Sequence, residues 1–521
     1  MSTRSGGRAA EWLVGDTLRH STEQRPDATA IVVDGRSRDY ESLLDESLRL
    51  ARALQELGLE RGGRVVVQTT NSWETAVAVY GTTLAARVFV VVNAQTKSDK
   101  LGYMLADSGA QFLVTQRPLL NVFRSFQGGL PALEHVLVVG ESADLPAPCL
   151  GFGELVASAD PSPSVRGIPV DLAALIYTSG STGNPKGVMI RQQSMVFTMQ
   201  SLCRYLRLSA DDRILNFLPL AFDYGLYQLL MAVRLGATLI LEQSFTFPLE
   251  IVARLTDTGA TVFPGVPTAY ATLCGLSRNR PELQLPEVRR VTNTAAALPP
   301  PILGDLRRIF PNALIFAMYG LTECKRVCYL EPELLEQRPS SVGKAIPGTE
   351  ALVLVDGRPA APGEVGVLHV RGPHVMAGYW NQPELTAEML RDGPTPGERM
   401  LCTQDFFTQD DEGFLYFVGR SDDIIKSGGQ KVSPIEVENA LHAIPEVRLA
   451  AVVGVEDEKL GEAIRAYVVL HDGASLTEHD VVRACRSRLE PIMVPHEVVF
   501  LDELPTTESG KVKKTGLGSA S

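Results

Sequence analysis

For most of its length the chain alternates short apolar runs with stretches of helical spacing. Runs at 64–67, 89–92, 112–114 and 135–139 are rich in Val, Leu and Phe and nearly free of polar alternation. Such runs predict strands buried on both faces. Segments 41–57, 71–86 and 101–108 have helical spacing, and Asn71-Ser72 offers an N-cap to the second. Segment 28–33 reads as a strand and 36–40 as a turn into the first helix. A second series of strands is expected at 214–218, 238–241, 261–263, 288–291 and 314–317. From Ala351 the pattern shortens to alternating strands such as 365–370. Beyond Gly419 come a helix (435–444), two strands (449–453, 464–470), a helix (478–489) and a strand (498–501). The expected fold is α/β, because strands alternating with helices imply parallel sheets with crossover helices. A large N-terminal domain over 1–418 is read as two αβ-layered subdomains plus a β subdomain. A boundary at 419–422 then leads to a small α+β C-terminal domain over 423–521.

Composition narrows the class. A chain of 521 residues exceeds what one core serves. The net charge of −12 argues against a nucleic-acid or anionic-membrane partner. No apolar core follows the small polar residues 1–7 and no 18-residue apolar span occurs, so a cytoplasmic location is expected. The 7 cysteines are scattered, which fits reduced thiols, and Cys324 and Cys328 are read as structural.

The candidate chemistry centres on Tyr177-Thr178-Ser179-Gly180-Ser181-Thr182-Gly183-Asn184-Pro185-Lys186-Gly187. Glycines allow close backbone approach to a ligand, and successive N–H groups in such a turn form an anion cradle. Hydroxyls and the ammonium of Lys186 add donors for phosphate oxygens. No Gly-Lys-Ser/Thr ends the loop, so it is not a Walker A motif. Four further stretches stand out. They are Tyr319-Gly320-Leu321-Thr322-Glu323, Thr403-Gln404-Asp405 with Gly419-Arg420, Asp422 to Val432, and Leu504-Pro505 with Ser509-Gly510-Lys511.

In this order and spacing the five stretches resemble the motifs of the adenylate-forming superfamily, which includes acyl-CoA synthetases, peptide-synthetase adenylation domains and luciferases. The resemblance runs from about residue 20 to 514 and implies a two-step ligase using ATP and Mg2+. It implies that Thr178, Ser179, Gly180, Ser181, Thr182, Gly183 and Lys186 bind phosphates. Tyr319 would stack on adenine, while Thr322 and Glu323 would serve phosphate and magnesium. Asp405 would bind the ribose and Arg420 the ribose or α-phosphate side. Residues 419–422, with Asp422, would be a hinge on which a mobile C-terminal domain over 423–521 turns, and Lys511 the lysine between carboxylate and α-phosphate. Where the family has Thr-Gly-Asp this chain has Thr403-Gln404-Asp405, which puts the turn's shape in question but keeps the carboxylate.

The acid pocket implied by the same resemblance holds Asp223, Tyr224, Tyr227, Pro264, Thr292, Thr294, Met318, Arg326 and Val327, bordered by Ala296 and Gly320. Several of these are large, so a small substrate is expected. An aspartate at position 223 pairs with the substrate ammonium in amino-acid-activating relatives, and a buried carboxylate needs such a partner. The preferred reading is therefore activation of a small amino acid and its transfer to a carrier-protein thiol or a carrier-bound amine. The alternative is an AMP-forming acyl-CoA ligase for a non-amino acid, with coenzyme A as acceptor. A non-catalytic nucleotide-binding homologue ranks last. Arg326 also leaves room for a second carboxylate on the substrate.

Overall fold

A computed structural model describes residues 11–125, 129–162, 166–178, 184–278, 280–294, 300–420, 423–427, 430–457, 460–506, 512–514 and 516–517. Among these residues the strands form sheets of 8, 15 and 5.

The 8-stranded sheet runs, in spatial order, Cys149–Gly151, His135–Val139, Phe112–Gln116, Arg64–Thr69, Val88–Asn93, β1 (Leu172–Thr178), β2 (Lys186–Arg191) and Gly378–Tyr379. It is parallel as far as β1. The chain then turns back, so β2 lies antiparallel to β1 with Thr178 opposite Lys186. Gly378–Tyr379 adds antiparallel on the far side of β2. The strands on either side of the glycine-rich segment are thus paired with each other from Thr178–Lys186 to Leu172–Arg191.

The 15-stranded sheet has a parallel half. Thr29–Val33, Thr238–Leu241, Arg213–Asn216, Val262–Gly265, β3 (Arg290–Asn293) and β4 (Leu314–Tyr319) lie side by side. An antiparallel half continues through Cys328–Tyr329 and Ser341–Ala345 to Leu415–Arg420, Arg399–Gln409 and Gly366–Arg371. Segment 36–40, read as a turn, differs. Arg36–Asp39 is an edge strand antiparallel to Thr29–Val33. Its Arg-Ser-Arg-Asp sequence has no apolar face to bury, and charged residues are how edge strands avoid further pairing.

One core joins the two large sheets. Val67, Phe89 and Ala174 of the first share it with Ile214, Phe263, Val291 and Phe316 of the second. Helix Trp73–Leu84 belongs to this core and buries every residue but Glu74, with Ser72 capping it by accepting from the Thr75 N–H. A helix apolar on all sides must be enclosed. Helix α1 (Gln192–Tyr205) and helix α2 (Asp223–Leu235) are buried almost as completely. The module after Arg420 has its own core, with Val437, Leu441, Val452, Ile464 and Val481 between 5 strands and helices Pro434–His442 and Glu478–Arg486.

Candidate active site

Three groups of side chains meet around the C-terminal ends of β1 and β4. In the first, the β1–β2 hairpin returns Lys186 beside Thr178. The Lys186 ammonium lies 5.3 Å from the centre of the Tyr379 ring. The Tyr379 hydroxyl donates to Glu323 Oε1 at 2.6 Å. Burial and the neighbouring Glu323 carboxylate push the Tyr379 phenol well above its usual range, so it stays a donor. The lysine of the glycine-rich segment and the glutamate after β4 are therefore joined through one tyrosine. Sequence reading missed Tyr379. Its signal, a Gly-Tyr-Trp step near position 380, gains meaning only once Gly378–Tyr379 is paired to β2.

In the second group, the Tyr319 hydroxyl donates to Asp405, and the Arg420 Nε lies 3.6 Å from the same carboxylate. Asp405 and Arg420 are cross-strand neighbours, and Asp405 is 5% exposed. The Tyr319 ring stacks beside Phe417 and meets Phe407 edge-on. Gln404, where the resembling family has glycine, sits at φ +60°. The glycine-like turn is thus retained with a side chain in it, and the Gln404 amide donates to Glu388 at 3.0 Å. A non-glycine residue in this region costs about 1–2 kcal/mol.

The third group lines a small cavity. Tyr224, Tyr227, Gln228 and Met231 reach it from one face of α2, Leu202 from α1 and Leu206 from just beyond it. Thr292 of β3, Met318 of β4 and the consecutive Lys325 and Arg326 close it. The α2 residues follow i, i+3, i+4, i+7 spacing, a sequence signal that would have added Gln228 and Met231. Gly320 backs the cavity, since a Cβ there would meet the Lys325 carbonyl oxygen at 2.3 Å and the Arg326 Cα at 2.9 Å. Tyr224 hydrogen-bonds Thr292 at 2.7 Å, and burial pushes its phenol up to about 12. Thr294 accepts from Arg326 Nη1 at 2.6 Å. Pro264 and Val327 are buried outside the cavity lining, Val327 with its N–H on the Tyr319 carbonyl. Asp223 opens α2 and is ion-paired to Lys325, Oδ2 to Nζ 3.4 Å. The Lys325 ammonium also lies over the rings of Tyr224 and Tyr227, at 5.2 and 5.0 Å. The carboxylate expected to await a substrate ammonium already has one from the chain itself.

Ser179, Gly180, Ser181, Thr182, Gly183, Ala296, Asp422 and Lys511 lie outside the described residues. Thr322 follows β4 in the turn beside Glu323. Among the described residues no group of three or more His, Cys, Asp or Glu is placed to hold a metal ion. Glu323, with one oxygen on Tyr379, fits a single carboxylate ligand to a hard cation whose other ligands are phosphate oxygens.

Comparison with known proteins agrees with this arrangement. The family model for AMP-binding enzymes matches residues 18–380, and that for the AMP-binding enzyme C-terminal domain matches residues 436–511. The chain belongs to the adenylate-forming enzymes. It is accordingly an AMP-forming ligase of that superfamily. A long-chain-fatty-acid–CoA ligase from Bacillus subtilis (strain 168) is 31% identical, over 96% of this chain and 93% of that protein. The crystal structure of the anthranilate CoA ligase AuaEII in complex with anthranoyl-AMP superposes with a TM-score of 0.89 at 25% identity, covering 100% of this chain and 98% of that one. The o-succinylbenzoate coenzyme A synthetase of Bacillus subtilis, in complex with ATP and magnesium, gives a TM-score of 0.81 at 27% identity over 96% and 98% of the two chains. Among the described residues of this adenylate-forming enzyme, no helix is long and apolar enough to cross a membrane.

Proposed function

We propose that this enzyme activates a small carboxylic acid lacking an α-ammonium group, using ATP, and transfers the acyl group to coenzyme A. The observation that carries this reading is the Asp223–Lys325 ion pair. An aspartate already matched by an ammonium of the chain offers no unbalanced charge to a substrate ammonium. Most of the similar relatives, those named above among them, are coenzyme A ligases or synthetases, which supports the same acceptor. The preferred expectation from sequence, an amino acid delivered to a carrier protein, is accordingly set aside for its alternative.

In the first step a carboxylate oxygen of the acid attacks the α-phosphorus of ATP, and the bond to pyrophosphate breaks. The nucleophile is already an anion, so no general base is needed, only positive charge where anions meet. Lys186, the hydroxyls of Thr178, Ser179, Ser181 and Thr182, and the backbone at Gly180 and Gly183 would hold the departing pyrophosphate. Thr322 would bind an α-phosphate oxygen. Tyr319, Asp405 and Arg420 would fix the nucleoside, and Lys511 would bridge carboxylate and α-phosphate. Glu323 would hold magnesium, which when bound neutralises phosphate charge. In the second step the coenzyme A thiolate attacks the acyl carbonyl and AMP departs. Turning of the C-terminal domain (423–521) against the core (1–418) at residues 419–422, around Asp422, would exchange the two active arrangements.

The test is pyrophosphate release and thioester formation with succinate, butyrate, benzoate, alanine and aspartate. Coenzyme A thioesters of non-amino acids are expected. Pyrophosphate release with the amino acids alone would overturn the reading.

A further inference from the structure

We infer that the activated acid carries a second anionic group at its far end, and that Arg326 selects it; this rests on the acid-ligase reading above. Arg326 is 1% exposed and is the largest fully buried side chain. A guanidinium remains charged at any working pH. Its contacts within the protein are neutral. Nη1 donates to Thr294 Oγ1 at 2.6 Å and the group lies 5.8 Å from the centre of the Tyr224 ring, while Nε has no hydrogen-bond partner. No ion pair joins Arg326 to a carboxylate among the described residues. Of the two cations lining the cavity, Lys325 is matched by Asp223 and Arg326 by no carboxylate among the described residues, so the cavity carries one excess positive charge.

A buried charge without a counter-charge is costly, and an anion delivered by a ligand removes that cost. The planar fork of Arg326 suits a carboxylate in particular. The Arg326 Cα packs against Gly320, two residues before Thr322, so the selecting residue and the reacting end belong to one site. The cavity walls are mostly large side chains. A dicarboxylic acid would place one carboxylate at the reacting end and the other on Arg326.

The test compares chain-matched pairs, malonate with propionate, succinate with butyrate and glutarate with valerate, by pyrophosphate release from the full-length enzyme. At least one diacid is expected to exceed its monoacid partner in kcat/KM by roughly thirtyfold to several thousandfold, the loss seen when one partner of a buried charge pair is removed. Arg326→Gln should lower kcat/KM for the diacid far more than for the monoacid, while Arg326→Lys should restore part of the preference. Thr294→Val, which removes only the hydroxyl orienting the guanidinium, should raise KM for the diacid more than it lowers kcat. If Arg326→Gln folds poorly, Thr294→Val still reads the effect. Equal use of monoacid and diacid by the wild type, or equal loss of both in Arg326→Gln, overturns the inference. An alanine and aspartate pair separates the two claims. Strong preference for aspartate, with no activity on non-amino acids, would sink the acid-ligase reading yet leave Arg326 as the selector.

Discussion

Asp223→Ala separates a structural ion pair from a substrate-binding carboxylate. At 3.4 Å the Asp223–Lys325 attraction is about 5 kcal/mol at an effective dielectric of 20 and about 1 kcal/mol in bulk water. The Asp223 side chain is 22% exposed and that of Lys325 6%, which places the pair between these limits. Desolvation of both ions offsets part of the attraction. A net loss of about 1–3 kcal/mol follows for Asp223→Ala, because Lys325 stays buried and loses its carboxylate partner. Differential scanning calorimetry should show the large domain melting a few degrees lower. The double variant Asp223→Ala with Lys325→Met should recover most of that loss, since removing both ions leaves no orphan charge. Activity on propionate and on alanine, where measurable, should fall in parallel. Unchanged stability together with selective loss of alanine activation would refute the reasoning and return Asp223 to the role of ammonium receptor.

Other outcomes follow from the same geometry. Tyr379→Phe keeps the ring near Lys186 but removes the hydrogen bond to Glu323. A bond to a charged group is worth about 1.5–3 kcal/mol, so kcat/KM should fall about ten- to a hundredfold, with a higher magnesium requirement in a pyrophosphate-release assay. His374 is 2% exposed and burial lowers its pKa to about 4. The native state therefore holds the neutral imidazole while the unfolded chain takes a proton below about 6.5. Its contribution is present above that pH and lost as pH falls towards 4, about 3 kcal/mol in total. In His374→Leu the acid limb of a stability–pH curve should lose about one proton of slope, whereas an unchanged limb would contradict the assignment. Gln404→Gly relieves a left-handed φ but frees the unfolded chain, so the free energy of unfolding should change by less than about 1 kcal/mol and activity should persist.

Much of this arrangement was legible in the sequence because it is written locally. The strand expected at 238–241 is observed at Thr238–Leu241, and the helix after Ser72 begins at Trp73 with Ser72 as its cap. Apolar runs and caps report on their own neighbourhood. What escaped was written over distance. The partner of Asp223 is 102 residues away, and the residue linking Lys186 to Glu323 lies in a two-residue strand near position 379. No periodicity marks either one. Segment 36–39 failed for a different reason, since a polar edge strand has the composition of a turn. At Gln404 the sequence showed a departure from glycine but not its outcome, because left-handed backbone at a non-glycine residue is imposed by the strands on either side.

The antiparallel addition of Gly378–Tyr379 to β2 bears on how the enzyme is made. The hairpin carrying the glycine-rich segment is complete in sequence by residue 191, yet its outer leg stays an open edge until residue 379 arrives. On a ribosome nearly three-quarters of the chain must emerge before Tyr379 can join Lys186 to Glu323. Domains assemble as they are synthesised, and pairings across such separations form late. A nascent chain stalled before this point would hold a folded first sheet with an exposed strand and no assembled phosphate site. Chaperone demand should therefore peak late in translation, and truncations ending before residue 378 should aggregate rather than bind nucleotide.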